Sequence, residues 1–143
     1  MIKFRYAFLA IATVLMVHIV AIGAGVYPVF SWFDIPMHFF GGYAIALLGL
    51  ALYEWIGSHV SITDRPGASS PYARLLLQAT FVVGVAIIVG VAWEWYEFLS
   101  DQFATSMVEQ YGKTQMGLAD TMDDLFNDML GAITAWYLWR NKS

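Results

Sequence analysis

The stretch that decides the fold is residues 73–99, ARLLLQATFVVGVAIIVGVAWEWYEFL. It carries no charged side chain between Arg74 and Glu94, and over residues 79–92 its only polar side chain is Thr80. A bilayer core requires about 20 predominantly apolar residues of helix, so this segment predicts a membrane-spanning helix. The segment nevertheless ends on two glutamates, and the question is which groups these carboxylates meet.

Three other segments repeat this pattern. Residues 6–26 are uncharged and contain one histidine, His18, while residues 35–56 open with Pro36, which suits a first helical turn. Residues 120–139 are long enough to cross only if their acidic first turns are counted. We therefore predict an all-α fold, a polytopic transmembrane bundle of four spans in a single domain covering residues 1–143. A short interfacial helix over residues 102–110 is a further expectation.

The composition agrees with a membrane protein. The chain is 59% hydrophobic and 13% charged, whereas soluble domains carry about 25% charged residues. A net charge of −4 does not indicate the basic surface that nucleic-acid binding requires. The lack of cysteine excludes disulfides and thiolate sites. We expect a multi-pass protein of the cell membrane whose first partner is the lipid bilayer.

The basic residues orient the bundle. Lys113, in the third connection, would lie alone on one side of the membrane. The other side would hold Lys3, Arg5, Arg65, Arg74, Arg140 and Lys142. Because basic loops stay in the cytoplasm, both termini are predicted to be cytoplasmic. A cleaved signal peptide ending near residues 21–23 is the alternative, but the apolar stretch exceeds the 7–15 residues typical of one.

Under this topology the acidic residues meet at the outer ends of three spans. The spacing of Asp34 and His38 is i, i+4, and that of Glu94 and Glu97 is i, i+3, so each pair shares a helix face. Aspartates of the last span repeat every four residues. Asp123 lies about 100° around the helix from Asp124 and is expected to point away from the other acids. The candidate site residues are Asp34, His38, Glu94, Glu97, Asp120, Asp124 and Asp128.

Energetics limit what these acids can do. An acidic side chain near the bilayer centre costs about 2.5–3.5 kcal/mol on insertion scales, and no lysine or arginine lies beside these acids to offset it. The acids are protonated, face a wet cavity or share a cation. Carboxylates with one imidazole suit a divalent metal ion such as Mg, Mn, Ca, Fe or Zn, and we predict such a site.

Simpler interpretations stay open for single residues. Asp120 and Asp34 could be helix caps, and Glu94 and Glu97 could be solvated at the membrane surface. His18 has no acidic neighbour on its own span and suits packing or support of the site. A purely structural role for all the acids is a further interpretation. Small residues suited to close helix packing are Gly41, Gly42, Ala46, Ala86 and Gly90.

Three motifs in this order, DIPMHFFGG, WEWYEF and DTMDDLFNDMLGA, resemble the YjdF-like family of small integral membrane proteins. The resemblance covers roughly residues 30–135 and implies a polar membrane site without implying a reaction. A more distant similarity is to VanZ-like proteins, although these carry glutamate followed by glutamine where this chain has Glu94 and Glu97. The matching positions are Asp34, His38, Phe39, Glu94, Glu97, Asp120, Thr121, Asp124, Asp128 and Gly131.

Two functional hypotheses follow. The first is a metal-dependent membrane protein that acts on a lipid or lipid-linked substrate, although no nucleophile motif identifies a catalytic residue. The second is non-enzymatic: a cation or proton pathway, or an accessory subunit of a membrane complex. The apolar residues 79–92 disfavour a polar route through a single copy. A homo- or hetero-oligomer is compatible with either hypothesis.

Overall fold

A computed structural model describes residues 4–60, 70–104, 109 and 112–141. In these residues all regular secondary structure is helical, which confirms the predicted all-α class. The helices are α1 (Phe4–Gly23), the short α2 (Val26–Val29), α3 (Asp34–His59), α4 (Pro71–Phe103) and α5 (Leu118–Trp139). A 3₁₀ turn, Ser31–Phe33, leads directly into α3.

Three of these helices are long and apolar enough to cross a membrane: Phe4–Gly23, Ser31–His59 with its 3₁₀ turn, and Pro71–Phe103. They correspond to the first three predicted spans, each shifted or extended by a few residues. The fourth predicted span coincides with α5, a 22-residue helix about 33 Å long that carries four aspartates. The predicted interfacial helix falls largely outside the described residues, and its first two positions belong to α4.

Glycines set two of the helix boundaries. Gly25 precedes α2 with φ 66°, a left-handed conformation that turns the chain after α1. Gly117 precedes α5 with φ 122° and ψ −177°, a region that side chains larger than hydrogen rarely enter. Pro71 occupies the first turn of α4, where its missing N–H carries no penalty.

The core is a three-helix bundle of α3, α4 and α5, with α3 and α5 in the most extensive contact. Its apolar centre contains Leu50 and Val82, both fully enclosed, and buried alanines from all three helices. Helix α1 packs mainly on α3 and leaves large apolar side chains such as Leu9 and Ile19 exposed, each at 66%. Exposed apolar side chains of this kind are what a helix in contact with lipid presents.

Two glycines allow α3 and α5 to cross closely. A Cβ on Gly42 would collide with the backbone carbonyl of Asp128, and a Cβ on Gly131 would collide with the Phe39 carbonyl. Small residues let helix backbones approach in membranes, where van der Waals packing holds helices together. The predicted packing role of Gly42 is confirmed. The crossing also brings the first turns of α3 against the middle of α5, which is where the candidate site lies.

Candidate metal centre

His38 is the centre of the site. It lies one turn into α3 and is 6% exposed. Carboxylate oxygens from all three core helices surround its ring. Nε2 lies 3.7 Å from Asp34 Oδ1, 3.7 Å from Asp124 Oδ1 and 4.0 Å from Glu94 Oε1, and Nδ1 lies 3.5 Å from Asp128 Oδ1. The three-helix convergence predicted from topology therefore occurs around one imidazole.

These distances have a chemical meaning. Good N–H···O hydrogen bonds are 2.7–3.2 Å long, so the four carboxylates surround the ring at electrostatic range rather than by close hydrogen bonding. Asp34, His38 and Asp124 can each offer one ligand atom such that all three atoms lie within 4.8 Å of one another. This donor set of two carboxylates and one imidazole from two helices suits a hard or borderline divalent cation.

The carboxylates are buried deeply for charged groups. Glu94, Glu97, Asp124 and Asp128 are at most 5% exposed, while the side chain of Asp34 is 21% exposed. The solvated-surface interpretation of Glu94 and Glu97 therefore fails in this structure. One oxygen on each of the four buried acids has no hydrogen-bond partner among the described residues: Glu94 Oε1, Glu97 Oε2, Asp124 Oδ2 and Asp128 Oδ2.

The remaining oxygens of the two glutamates are held in place. Thr121 Oγ1 donates to Glu94 Oε2 at 2.7 Å, and Gln115 Nε2 donates to Thr121 Oγ1 at 3.2 Å. Trp93 Nε1 donates to Glu97 Oε1 at 3.0 Å, one turn away on the same helix. A hydrogen bond to one oxygen thus orients each glutamate, and the other oxygen has no hydrogen-bond partner in the described residues.

Asp120 and Asp123 differ from the deeper aspartates of α5. Asp120 Oδ2 accepts a hydrogen bond from the Met116 N–H at 3.0 Å, so it holds the chain at the start of α5. It is half-buried and lies within electrostatic reach of Asp34, Glu94 and Asp124. The N-cap interpretation of Asp120 is wrong, because Gly117 is the N-cap residue and Asp120 is the third residue of α5. Asp123 is exposed, as its helical offset predicts.

Asp101 was missed by the sequence reasoning. Its carboxylate accepts hydrogen bonds from the N–H and hydroxyl of Thr114 and from the N–H of Gln115, at 3.0–3.1 Å. These three hydrogen bonds fix the segment before α5 against the end of α4, and this position allows Gln115 to contact Thr121. No spacing rule links Asp101 to Thr114, because the contact depends on the path of an irregular connection.

A second polar pair lies beside the site. Tyr27 Oη and His18 Nδ1 are 2.6 Å apart, and the His18 ring packs edge-on against Trp93 with centroids 5.0 Å apart. Burial, followed by the charges of Asp34 and Glu97, raises the pKa of Tyr27 above its usual range, so the phenol stays protonated and can donate. His18 was expected to pack or to support the site, and its contact with Trp93 links it to Glu97.

An elongated cavity of about 220 Å³ adjoins the cluster. It lies between α1, α3 and α4. Asp34 and His38 line it at one end together with His18, Asp128 lines it beside Gly90, and most of the remaining lining side chains are apolar. The acidic cluster is therefore reached from a mainly apolar space.

Comparison with known proteins places the chain in a family. The profile described as "Predicted membrane protein (DUF2238)" matches residues 4–142, in agreement with the YjdF-like resemblance, whereas the VanZ-like similarity stays a prediction. An "Uncharacterized protein" of Thermotoga maritima is 35% identical over 117 residues, which are 80% of this chain and 51% of that relative. The chain thus spans about half the length of this curated relative. No solved structure matches the chain. The chain is a membrane protein that belongs to the DUF2238 family of predicted membrane proteins.

Proposed function

We propose that the protein binds a divalent metal ion at the acidic cluster and uses it on a lipid or lipid-linked substrate. The observation that carries the proposal is the charge imbalance around His38. Four carboxylates surround one imidazole, and four buried oxygens have no hydrogen-bond partner in the described part of the chain. One imidazolium offsets at most one negative charge, whereas a divalent cation that replaces its proton would offset two and bind the unpartnered oxygens.

The ligands would be Asp34, His38 and Asp124, whose donor atoms already lie close together. A metal ion held this way polarises a phosphate or ester oxygen and brings the pKa of bound water towards neutrality. The unpartnered oxygens of Glu94 and Glu97 would complete the ligand set or accept a proton. Asp128, which lies at Nδ1 rather than at Nε2, would orient the imidazole. Asp120 is assigned to the edge of the site.

The same proposal includes the topology. Helix α5 would cross as the fourth span, with both termini in the cytoplasm, so that the cluster lies in the outer half of the cell membrane. The proposal needs this fourth crossing because α5 supplies Asp124 and Asp128. A homo- or hetero-oligomer would be compatible with the exposed apolar side chains, which lipid alone would also satisfy.

The apolar packing below the cluster argues against a cation or proton pathway through one copy. On the inner side of the site, α3, α4 and α5 meet through Leu50, Val82 and Ala135, each at most 1% exposed. A route for ions requires polar groups or water along its length. The described residues also carry polar groups further along the bundle, the buried Glu54 carboxylate and the Trp136–Gln78 hydrogen bond. Leu50 and Val82 lie between these groups and the His38 cluster, which favours binding and chemistry over conduction.

Elemental analysis of the purified full chain tests the proposal. We expect one or two equivalents of a divalent metal per chain, reduced at least tenfold by Asp124→Asn. Asp123→Asn is the matched control, because Asp123 is the adjacent residue, is exposed and should leave the metal content unchanged. If the native protein contains no stoichiometric metal after growth with Mg, Mn, Ca, Fe and Zn, the proposal is wrong.

A further inference from the structure

The cavity beside the acidic cluster has a direction. Its polar lining residues His18, Asp34 and His38 lie towards one end, together with Trp93, and the Asp128 carboxylate lies beside Gly90, about one helical turn further along. From there the lining continues along α1 to Ile11, along α3 to Ile45 and along α4 to Ala86. Each of these runs covers about seven residues, or about 10 Å at 1.5 Å rise per residue. The cavity is therefore polar from its outer end to Asp128 and apolar from there to Ile11, Ile45 and Ala86.

Few residues close the side of this cavity that lies between α1 and α4. Helix α1 packs mainly on α3, while α1 and α4 have few contacts, among them the ring contact of His18 with Trp93 near the polar end. Lining residues Leu15 and Val89 are 43% and 39% exposed. In a membrane the surroundings of these side chains are lipid chains, so the cavity adjoins the hydrocarbon core rather than water.

An apolar cavity excludes water and takes an apolar occupant. An engineered apolar cavity of about 150 Å³ stays dry and binds benzene, and the cavity here is larger. Its polar end carries the carboxylates that would hold a cation, and a cation there attracts phosphate oxygens. Shape, lining and charge thus match one molecule with a hydrocarbon chain and a phosphate end.

We infer that the cavity between α1, α3 and α4 holds one hydrocarbon chain of a phospholipid whose phosphate end lies at the His38 cluster. The inference rests on the proposed function, because the bound cation is what attracts the phosphate. It goes further in two ways. It names the side from which the lipid enters the cavity, between α1 and α4, and it names the apolar lining that would bind the hydrocarbon chain. The substrate class is a membrane lipid rather than a soluble phosphate ester.

Photocrosslinking in vesicles tests the inference. The full chain is reconstituted in phosphatidylcholine with a trace of phosphatidic acid that carries a diazirine midway along one chain, and adducts are located by mass spectrometry. We expect adducts on cavity residues Ile11, Val14 and Ile45, and removal of the metal with a chelator should lower their yield at least threefold. Adducts on Leu138, an exposed residue of α5, report contact with bulk lipid and should not change.

Two variants separate the cavity from the lipid-facing surface. Val89→Phe narrows the cavity and should lower the cavity adducts at least fivefold. Val91→Phe is the matched control, since Val91 is on the same helix, is equally exposed at 39% and does not line the cavity. Should Val89→Phe lower the thermal midpoint more than Val91→Phe does, Leu15→Phe obstructs the same space from α1 and should give the same loss.

The metal content of each sample distinguishes this inference from the proposed function. Adducts confined to residues such as Leu138, in a chain that holds its metal, would overturn the lipid site and leave the metal site standing. Cavity adducts that neither Val89→Phe nor Leu15→Phe reduces would also overturn it. Cavity adducts in a chain that never binds metal would contradict the proposed function and the phosphate contact, and would support the hydrocarbon-chain site alone.

Discussion

Gly90 of α4 faces the carboxylate of Asp128 on α5 so closely that a Cβ on Gly90 would overlap Asp128 Oδ2. Sequence patterns assign such a glycine to helix packing. Here the hydrogen atom in place of a side chain makes room for a buried acid. A Cβ on Gly41 would lie 3.8 Å from Asp128 Oδ1, an ordinary van der Waals distance, so the close approach is specific to Gly90. Gly90 is therefore part of the candidate site as well as of the helix packing.

Gly90→Ala should weaken metal binding at least tenfold with a modest effect on stability. The new methyl group would overlap the end of the Asp128 side chain, which can rotate to another conformation. The position of the carboxylate therefore changes, while the helix backbone can stay in place. Metal titration followed by thermal unfolding in detergent measures both effects. Gly84→Ala, on the same helix with no heavy atom within 4 Å of the added Cβ, should leave metal binding unchanged.

Gly42→Ala should destabilise the whole bundle. The added Cβ would overlap the Asp128 carbonyl oxygen and lie 2.6 Å from Asp128 Cα, and backbone atoms cannot move aside as a side chain can. Overpacking of this kind costs about 1–3 kcal/mol or more, which lowers the thermal midpoint by roughly 5 °C or more. An unchanged midpoint in detergent would show that α3 and α5 do not cross at Gly42.

Asp124→Asn should have opposite effects on stability with and without metal. In a chelator it removes one of several buried like charges, so the thermal midpoint should rise by roughly 2–4 °C, corresponding to about 1 kcal/mol. With metal at a hundredfold excess over Kd the native chain gains about 2.7 kcal/mol, and the variant should gain much less. If metal raised the thermal midpoints of Asp124→Asn and Asp123→Asn equally, that result would contradict a metal site at His38.

Thr121→Val should weaken metal binding by about 10–100-fold without unfolding the protein. Its hydroxyl donates to Glu94 Oε2, and loss of a hydrogen bond that orients a ligand or its neighbour has an effect of this size. Thr134→Val is the control, because the Thr134 hydroxyl donates to the Leu130 carbonyl on an exposed face of the same helix. Calorimetric titration of the two variants with the same metal makes the comparison.

The topology can be measured with cysteines, since the chain has none of its own. In intact cells a membrane-impermeant maleimide should label Lys113→Cys, whereas Val60→Cys and Asn141→Cys should react only after lysis. All three residues are exposed in the structure. Labelling of Asn141→Cys in intact cells would mean that α5 does not cross, and the proposed fourth span would be wrong.

Much of the architecture follows from local sequence. Apolar runs of about 20 residues predict helices wherever a bilayer is the solvent, since backbone groups must be satisfied within the segment. Hence the sequence predicts α1, α3 and α4 to within a few residues, and α4 extends from the expected end at Leu99 to Phe103. Spacing of i, i+3 and i, i+4 likewise predicted which acids share a helix face.

Only the tertiary structure decided which of those acids become one site. Periodicity predicts the face of a residue on its own helix, but rotation and depth of one helix against another depend on contacts between residues distant in sequence. Gly42 and Gly131 determine how closely α3 and α5 approach, and that approach brings Asp124 and Asp128 to His38. The sequence by itself determined a membrane bundle with acids at one end, and helix packing determined that four of them surround a single imidazole.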